Sequence, residues 1–594
     1  MLSAVIPVSR PAAPPESLVS RLRWLISTNA AEPENRRAVW PWMLAVFGYA
    51  AGCALLALRR AFASEFTLAD DVREHVFWMF RFINPRLFPQ DAMADYFQSL
   101  APPGFAGLYW LLSRARIDPL LASKLIPPVL SLIAAAFFFG FARRFFRSAA
   151  TAAFTTVVFI QVLWSNSDLA SATPRAFFYP LFAAFLFFRE TRSITGLLVT
   201  ISLAALIFPP CALLCVGVLG FACLRWSNRP RLVPLRSWEM VSFAAASALT
   251  LLGLASYFLQ AHALGPLVTY AQAKGMAEFT PKGRVPVFFS SWWGYWVGGN
   301  AGVHELPTRP PWFLAAFLWP LLRRFPDRFP LLKSIPRGAP PVPLILASSL
   351  SLFLLAHLLL FQLYLPSRYT APVERFVLIL LGGGALLALL DGALLWSEKL
   401  RARSRRSGLA LAGVFCALLV LGYPLLWPGF PTVGYIRGAD PALYEFFARQ
   451  PISSRIATLS DEGDNIPTFS RRSVAINAEC AVPFHPAYYL PLRDRGLQIA
   501  RAQYSSNPDL VEQCVREQQI DFWLLDAHAF RRKYWPTSRL LRQLRLSSPG
   551  ENLGVAGAAA PFLQRASREA IVFQDGRFVV LDTHRLFPVP RQIR

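Results

Sequence analysis

From about Ala38 to Trp427 the chain is a succession of apolar runs separated by short, Arg-rich polar clusters. A helix needs about 20 apolar residues to cross the hydrocarbon core of a bilayer. Eleven runs are candidates, at residues 38–58, 118–142, 148–164, 175–188, 193–208, 209–224, 238–260, 311–322, 341–363, 370–391 and 408–427. Basic residues fall in alternate gaps: Arg143, Arg144 and Arg147; Arg189 and Arg192; Arg225, Arg229, Arg231 and Arg236; Arg323, Arg324, Arg328 and Lys333; and Lys399, Arg401, Arg403, Arg405 and Arg406. Lys and Arg collect in cytoplasmic loops, so these clusters mark the cytoplasmic face. The loops 59–117 and 261–310, and all of 428–594, then fall on the external side. Residues 1–37, rich in Pro, Ala and Arg, read as a polar cytoplasmic leader rather than a cleaved signal peptide.

After Trp427 the pattern shortens to strand length. The β-like runs Ile456 to Leu459, Ser473 to Ile476, Phe522 to Leu525 and Phe578 to Leu581 alternate with helical stretches such as Pro441 to Arg449 and Pro508 to Gln519, the pattern of a small external α/β domain. The expected fold class is therefore a polytopic α-helical membrane protein of about eleven transmembrane helices with a C-terminal α/β domain. Composition agrees: 54% of the residues are hydrophobic, which excludes a soluble multidomain enzyme and a disordered chain. The net charge of +25 follows from the cytoplasmic clusters, and no nucleic-acid partner is expected. Seven cysteines show no metal-ligand spacing, and a Cys480–Cys514 disulfide stays open. P-loop, dinucleotide-binding, zinc-helix and nucleophile-elbow motifs are absent.

The most informative segment follows the first run, Thr67-Leu-Ala-Asp70-Asp71-Val-Arg73-Glu74-His75. Two adjacent carboxylates at a membrane surface are partly desolvated and can serve as a general base. Thr67-x-x-Asp70 also fits a helix-capping pattern, in which a carboxylate does no chemistry. Asp91 and Asp95, four apart, are read onto one helical face, to bind a sugar or a metal ion or to meet solvent. Cationic candidates for an anion site are Arg175, Arg368 and Lys124, each with snorkelling or a local partner as the alternative. Trp292 and Trp293, in a run of four aromatics within five positions, either stack on sugar or form an interfacial belt. His357 reads as a satisfied core histidine, Gly382 to Gly384 as a close helix contact, and Ser460 to Arg472 as either an acceptor-recognition segment or a turn.

The acid pair after the first run, the Pro102 to Tyr109 segment, the number of runs and the C-terminal domain together resemble the GT-C class of integral membrane glycosyltransferases. The resemblance spans the chain at the level of architecture. In that class the first acid, matched by Asp70, activates the acceptor, and Asp71 matches the second. The Arg368-Tyr369 pair resembles a sequence such enzymes carry. The class's Tyr-rich continuation is replaced here by Arg73, Glu74 and His75. The resemblance implies inverting transfer of a sugar from a polyprenyl-phosphate carrier to an acceptor hydroxyl on a glycan, lipid or protein at the external leaflet. Asp70 or Asp71 would be the base, Arg175, Arg368 and Lys124 would receive the departing phosphate, and His75, Asp91, Asp95, Trp292, Trp293 and Tyr369 would contact substrate. No cofactor or metal is expected, and the location expected is a bacterial plasma membrane with the C-terminal domain periplasmic. The alternative function is a transporter or flippase for a lipid-linked glycan, which would place its ionisable residues near the bilayer midplane.

Overall fold

The structure, a computed structural model, describes residues 17–27, 36–225, 231–261, 264–303, 311–335, 341–399, 403–427, 429–431, 434–531, 533–544, 560–565 and 568–588. Most of the expected leader, Arg229, Arg401 and the end of the 261–310 loop lie outside these residues.

The first helix, α1 (Leu18–Ser27), falls within the expected polar leader. It buries Val19 and Ile26, and Arg23 binds Glu398 at 2.6 Å and the fully buried Asp391 at 3.3 Å. Next come α2 (Arg36–Ala61), β1 (Thr67–Ala69), α3 (Val72–His75), α4 (Ala92–Leu100), α5 (Pro103–Arg114), α6 (Pro119–Phe146), α7 (Ala149–Leu163), α8 (Ser167–Ala170), α9 (Phe178–Glu190), α10 (Ile194–Ile207) and α11 (Pro209–Ala222). A two-stranded ribbon, β2 (Leu224–Arg225) and β3 (Arg231–Leu232), leads to α12 (Trp238–Ala261), α13 (Tyr270–Gly275), α14 (Trp292–Trp296), α15 (Trp319–Leu322), α16 (Pro341–Leu358), α17 (Ser367–Glu398) and α18 (Arg403–Leu426).

Each of the eleven apolar runs lies on helix, with the run 311–322 formed by a 3-10 segment, Pro311–Leu318, and α15. Among the described residues, six helices, on α2, α6, α12, α16, α17 and α18, are long and apolar enough to cross a membrane. The others are shorter for local reasons. Pro209 and Pro210 lack the N–H that would continue α10, so the chain breaks at Phe208 and restarts as α11. The 14 residues of α10 rise about 21 Å against a hydrocarbon core of about 30 Å.

The bundle core is aromatic. Phe138 stacks on Phe159 at 4.1 Å, and Phe376 meets Phe138 and Phe182 edge-on at 5.1 and 5.2 Å. Gly382, Gly383 and Gly384 let α17 approach its neighbours: a Cβ on Gly382 would stand 2.7 Å from the Phe313 carbonyl oxygen, one on Gly383 2.7 Å from the Thr155 hydroxyl, and one on Gly384 2.4 Å from the Phe146 ring. These are close helix contacts, as the sequence implies.

At the loop end of the bundle, β4 (Tyr435–Arg437) pairs antiparallel with β1, Thr67 opposite Arg437. Arg60, at the end of α2, donates to the carbonyls of Phe430 and Pro431 at 2.8 and 2.7 Å. Beyond α19 (Pro441–Ala448) lies a five-stranded sheet of β5 (Arg455–Thr458), β6 (Ser473–Val474), β7 (Phe522–Asp526), β8 (Ile571–Gln574) and β9 (Phe578–Asp582), in the order β6-β5-β7-β9-β8. β5 is parallel to β6 and β7, and β9 antiparallel to β7 and β8. Helices α20 (Ile466–Phe469), α21 (Pro486–Tyr504), α22 (Pro508–Gln518), α23 (Arg539–Gln543) and α24 (Thr583–Leu586) also belong to this region. Cys480 and Cys514 are both buried free thiols.

Because Phe313 meets Gly382 through its backbone rather than a movable side chain, Gly382→Val is expected to destabilise the protein by about 1–3 kcal/mol. Thermal unfolding in detergent checks this, with Gly422→Val on α18, where a Cβ meets nothing within 4 Å, as the control.

Candidate active site

The Asp70-Asp71 pair lies in the turn between β1 and α3. Helix α3 has four residues, and its N-cap Asp71 makes no side-chain capping bond, so the capping alternative does not describe either acid. Asp70 accepts instead from the Arg73 guanidinium, and Asp71 from that of Arg175. The two neighbours therefore face different partners.

Arg175 belongs to the 3-10 segment Pro174–Phe177 that leads into α9. With Arg368 and Arg375 from α17 and Asp168 from α8 it lines a cavity of about 390 Å³, closed on another side by Gly299 and Asn300. Arg375 donates to Asp168 at 2.6 Å, and Arg175 Nε stands 3.7 Å from the same carboxylate. That Nε is buried without a hydrogen-bond partner, so a donor is available to an incoming acceptor atom. Burial alone would raise the Asp168 pKa, but Arg375, then Arg175 and Arg368, outweigh it and hold the carboxyl below its ordinary value. Arg368 lies 5.9 Å from the centre of the Tyr364 ring and makes no ion pair among the described residues, Glu374 included. Three guanidinium groups face two carboxylates here, Asp168 and, through Arg175, Asp71, so cationic hydrogen-bond donors are in excess.

Asp70 borders a second cluster. Arg73, 4% exposed, donates to Asn465 at 3.0 Å and Glu479 at 3.4 Å and lies 4.0 Å from Asp464. Arg284, from the 261–310 loop, binds Glu74 at 3.2 Å and Glu479 at 2.8 Å. Arg539 binds Glu479 at 2.7 Å and Asp464 at 3.4 Å. Burial would raise Glu479, but Arg284, Arg539 and Arg73 together hold it below the usual range. For Asp464 burial wins over Arg73 and pushes the carboxyl up to about 6. Beside this cluster is a second cavity of about 560 Å³, lined by Arg73, by Asp461, Glu462, Asp464 and Asn465 of the segment singled out above, and by Arg437, Arg539 and Arg577.

Several expected contacts stand apart from both cavities. Asp91 is not on a helical face with Asp95: it is the extended N-cap of α4, 3% exposed, accepting from the Met93 and Ala94 amides at 2.9 and 3.1 Å. Asp95 binds Arg81 at 2.7 Å. Tyr369 is buried and donates to the Leu363 carbonyl at 3.0 Å, which spends its hydroxyl in the core. Lys124 is buried with its ammonium 5.1 Å from the centre of the Phe62 ring. His75 meets Phe97 edge-on at 5.8 Å. Trp292 and Trp293 are 64% and 70% exposed and meet at right angles. None of these seven residues lines either cavity. His357 is satisfied by Tyr295 at 3.2 Å and the Ala301 carbonyl at 2.8 Å. Among the described residues no three His, Cys, Asp or Glu side chains gather to hold a metal ion.

The sequence reading gave no site role to Asp168, Arg375, Arg73, Arg284, Glu479 or Arg539. Arg375 carried a signal, its seven-residue spacing from Arg368, which repeats the same helix face. The others carried none, since their partners are remote in sequence.

No family model matches the chain, and no curated protein matches it. Among solved structures it is similar to the Archaeoglobus fulgidus oligosaccharyltransferase, crystallised with a tethered acceptor peptide, with a TM-score of 0.46 and 12% identity over 86% of this chain and 72% of that one. The archaeal oligosaccharyltransferase AglB from the same organism, in complex with an inhibitory peptide and a dolichol-phosphate, gives a TM-score of 0.45 at the same identity and coverage.

Removing one member of a buried ionic network leaves its partners uncompensated. Arg73→Met is accordingly expected to cost about 3–5 kcal/mol, read as a lower Tm of the detergent-solubilised protein, whereas Arg449→Met, at an 80% exposed ion pair, leaves Tm unchanged.

Proposed function

We propose that the protein is a membrane glycosyltransferase of the GT-C type. It moves a sugar from a polyprenyl-phosphate carrier to an acceptor hydroxyl at the membrane face bearing the C-terminal domain, the outer face of a bacterial plasma membrane in this reading, with the eleven apolar runs as its spans. The observation that carries the proposal is the contact of Asp71 with Arg175 at the edge of the three-arginine cavity.

The donor's phosphodiester occupies the cavity and accepts from Arg175, Arg368 and Arg375. The acceptor hydroxyl attacks the anomeric carbon from the side opposite the phosphate, so configuration inverts. Asp71 takes its proton, while the bond from the anomeric carbon to the phosphate oxygen breaks. Charge is conserved within the site: the carboxylate loses one negative charge as the carrier phosphate gains one. Arg175 is shared between the two groups, so protonation of Asp71 releases its guanidinium to the leaving group as the charge develops there. In this scheme Asp71 rather than Asp70 is the base, because Asp70 turns to Arg73. The scheme draws on no metal.

A transporter for lipid-linked glycans is the weaker reading. Such a site sits near the bilayer midplane on broken helices, whereas Asp168 follows the end of α7, Arg175 precedes α9, and Arg368 is the second residue of α17.

Asp71→Asn is expected to slow transfer by roughly 10²–10⁴-fold, and Arg368→Gln by roughly 10²-fold, since it removes one donor to the leaving phosphate. Asp70→Asn loses far less, and a chelator changes nothing. The assay is transfer from radiolabelled polyprenyl-phosphate hexoses and pentoses in proteoliposomes. Undiminished transfer by Asp71→Asn sinks the assignment of the base.

A further inference from the structure

We infer that the second cavity holds the acceptor and that this acceptor is a sugar bearing an anionic group, a uronate or a sugar phosphate, an inference that rests on the glycosyltransferase reading.

Position comes first. Arg73 lines this cavity and holds Asp70, and the next residue, Asp71, holds Arg175 of the other cavity. Adjacent acids thus each hold an arginine that lines one of the two chambers. The second chamber lies between the first loop and the sheet region, above the end of parallel strand β5, where α/β folds commonly bind ligands. Its volume of about 560 Å³ is ample for one or two sugar rings.

Charge then selects the occupant. Four arginines, Arg73, Arg437, Arg539 and Arg577, and three acids, Asp461, Glu462 and Asp464, share the lining. The acids are already engaged. Glu462 accepts from the Tyr444 hydroxyl and from Asn465 at 2.6 Å, Asp464 accepts from the Glu479 amide at 2.9 Å, and Asp461 from the Arg539 amide at 2.7 Å. Burial also raises the Glu462 pKa toward its neutral form. Arg73 and Arg539 are spent on Glu479 and Asp464. Arg437 and Arg577 are the exposed ones, and among the described residues neither makes an ion pair, although Asp461 and Glu462 share the same lining. Arg577 lies over the Phe578 ring and acts on Glu462, Asp526 and Asp575 through its charge alone. Two guanidinium groups without an ion-pair contact match a carboxylate or phosphate on the ligand, and the remaining acceptor capacity of Asp461 suits sugar hydroxyls.

The test measures binding to the full-length protein in lipid nanodiscs by calorimetry. The probes are trigalacturonate against its methyl ester and mannose 6-phosphate against mannose, which separates the two sources of anion. At least one acidic probe is expected to bind about tenfold or more tighter than its neutral counterpart, the worth of a charge-assisted hydrogen bond. The double variant Arg437→Gln/Arg577→Gln should lose that preference, while Arg368→Gln, in the other cavity, and Asp71→Asn keep it. Both variant positions are exposed, so folding is spared, and an unchanged Tm verifies it. Acidic and neutral probes binding alike, or a preference that survives the double variant, overturns the inference. Should acid-selective binding persist while the wild-type protein transfers no sugar from any of the polyprenyl-phosphate donors, the enzyme reading falls instead.

Discussion

A guanidinium group cannot be buried without its charge being met, and Arg73 is buried between the first loop and the C-terminal region. Its partners are drawn from both: Asp70 beside it in the loop, and Asn465, Glu479 and Asp464 some 400 residues later. Arg284 adds the 261–310 loop to the same acids. Three segments far apart in the chain are thereby bound by one network, and β1 with β4 adds a short ladder beside it. The consequence for the site is geometric. Fixing Asp70 on Arg73 turns its neighbour Asp71 the other way, toward Arg175 and the bundle.

The bundle's cavity follows from a second constraint, helical periodicity. Seven residues are close to two turns, so Arg368 and Arg375 fall on one face of α17 and reach the same chamber. Residue 374 is turned away by about 100°, which explains why Glu374 does not neutralise Arg368. Asp168 supplies a counter-charge from outside α17, and by holding Arg375 it keeps the arginines from dispersing. Three arginines face two acids, Asp168 and Asp71, which leaves one positive charge in excess at the chamber.

The features legible in the sequence were local ones. Apolar length and the alternation of basic clusters located the helices, because both are properties of short stretches. The acid pair stood out because adjacent carboxylates after an apolar run are costly. Arg175 and Arg368 were visible as cations at the ends of such runs. What failed did so through assumed local structure. The spacing of Asp91 and Asp95 implied a shared face only if the helix began before Asp91, and Asp91 is its cap. Tyr369 was read toward a substrate by its neighbour Arg368, yet one residue along a helix turns about 100°, and that turn carries Tyr369 into the core. Partners such as Glu479 for Arg73 were invisible because no periodicity links residues 406 positions apart.

The two cavities impose a further logic on any two-substrate reaction here. A base that serves an acceptor must stand at the boundary with the donor, because the hydroxyl it deprotonates bonds to the donor's carbon in the same step. A carboxylate committed to a buried guanidinium, as Asp70 is to Arg73, cannot leave without exposing an uncompensated charge. A carboxylate sharing its guanidinium with an anion site, as Asp71 does, can, because an arriving phosphate replaces it as the partner of Arg175. In the proposed chemistry the adjacent acids thus divide the work: the one held by the fold keeps Arg73 paired, and the one held by the ligand site is free to exchange partners.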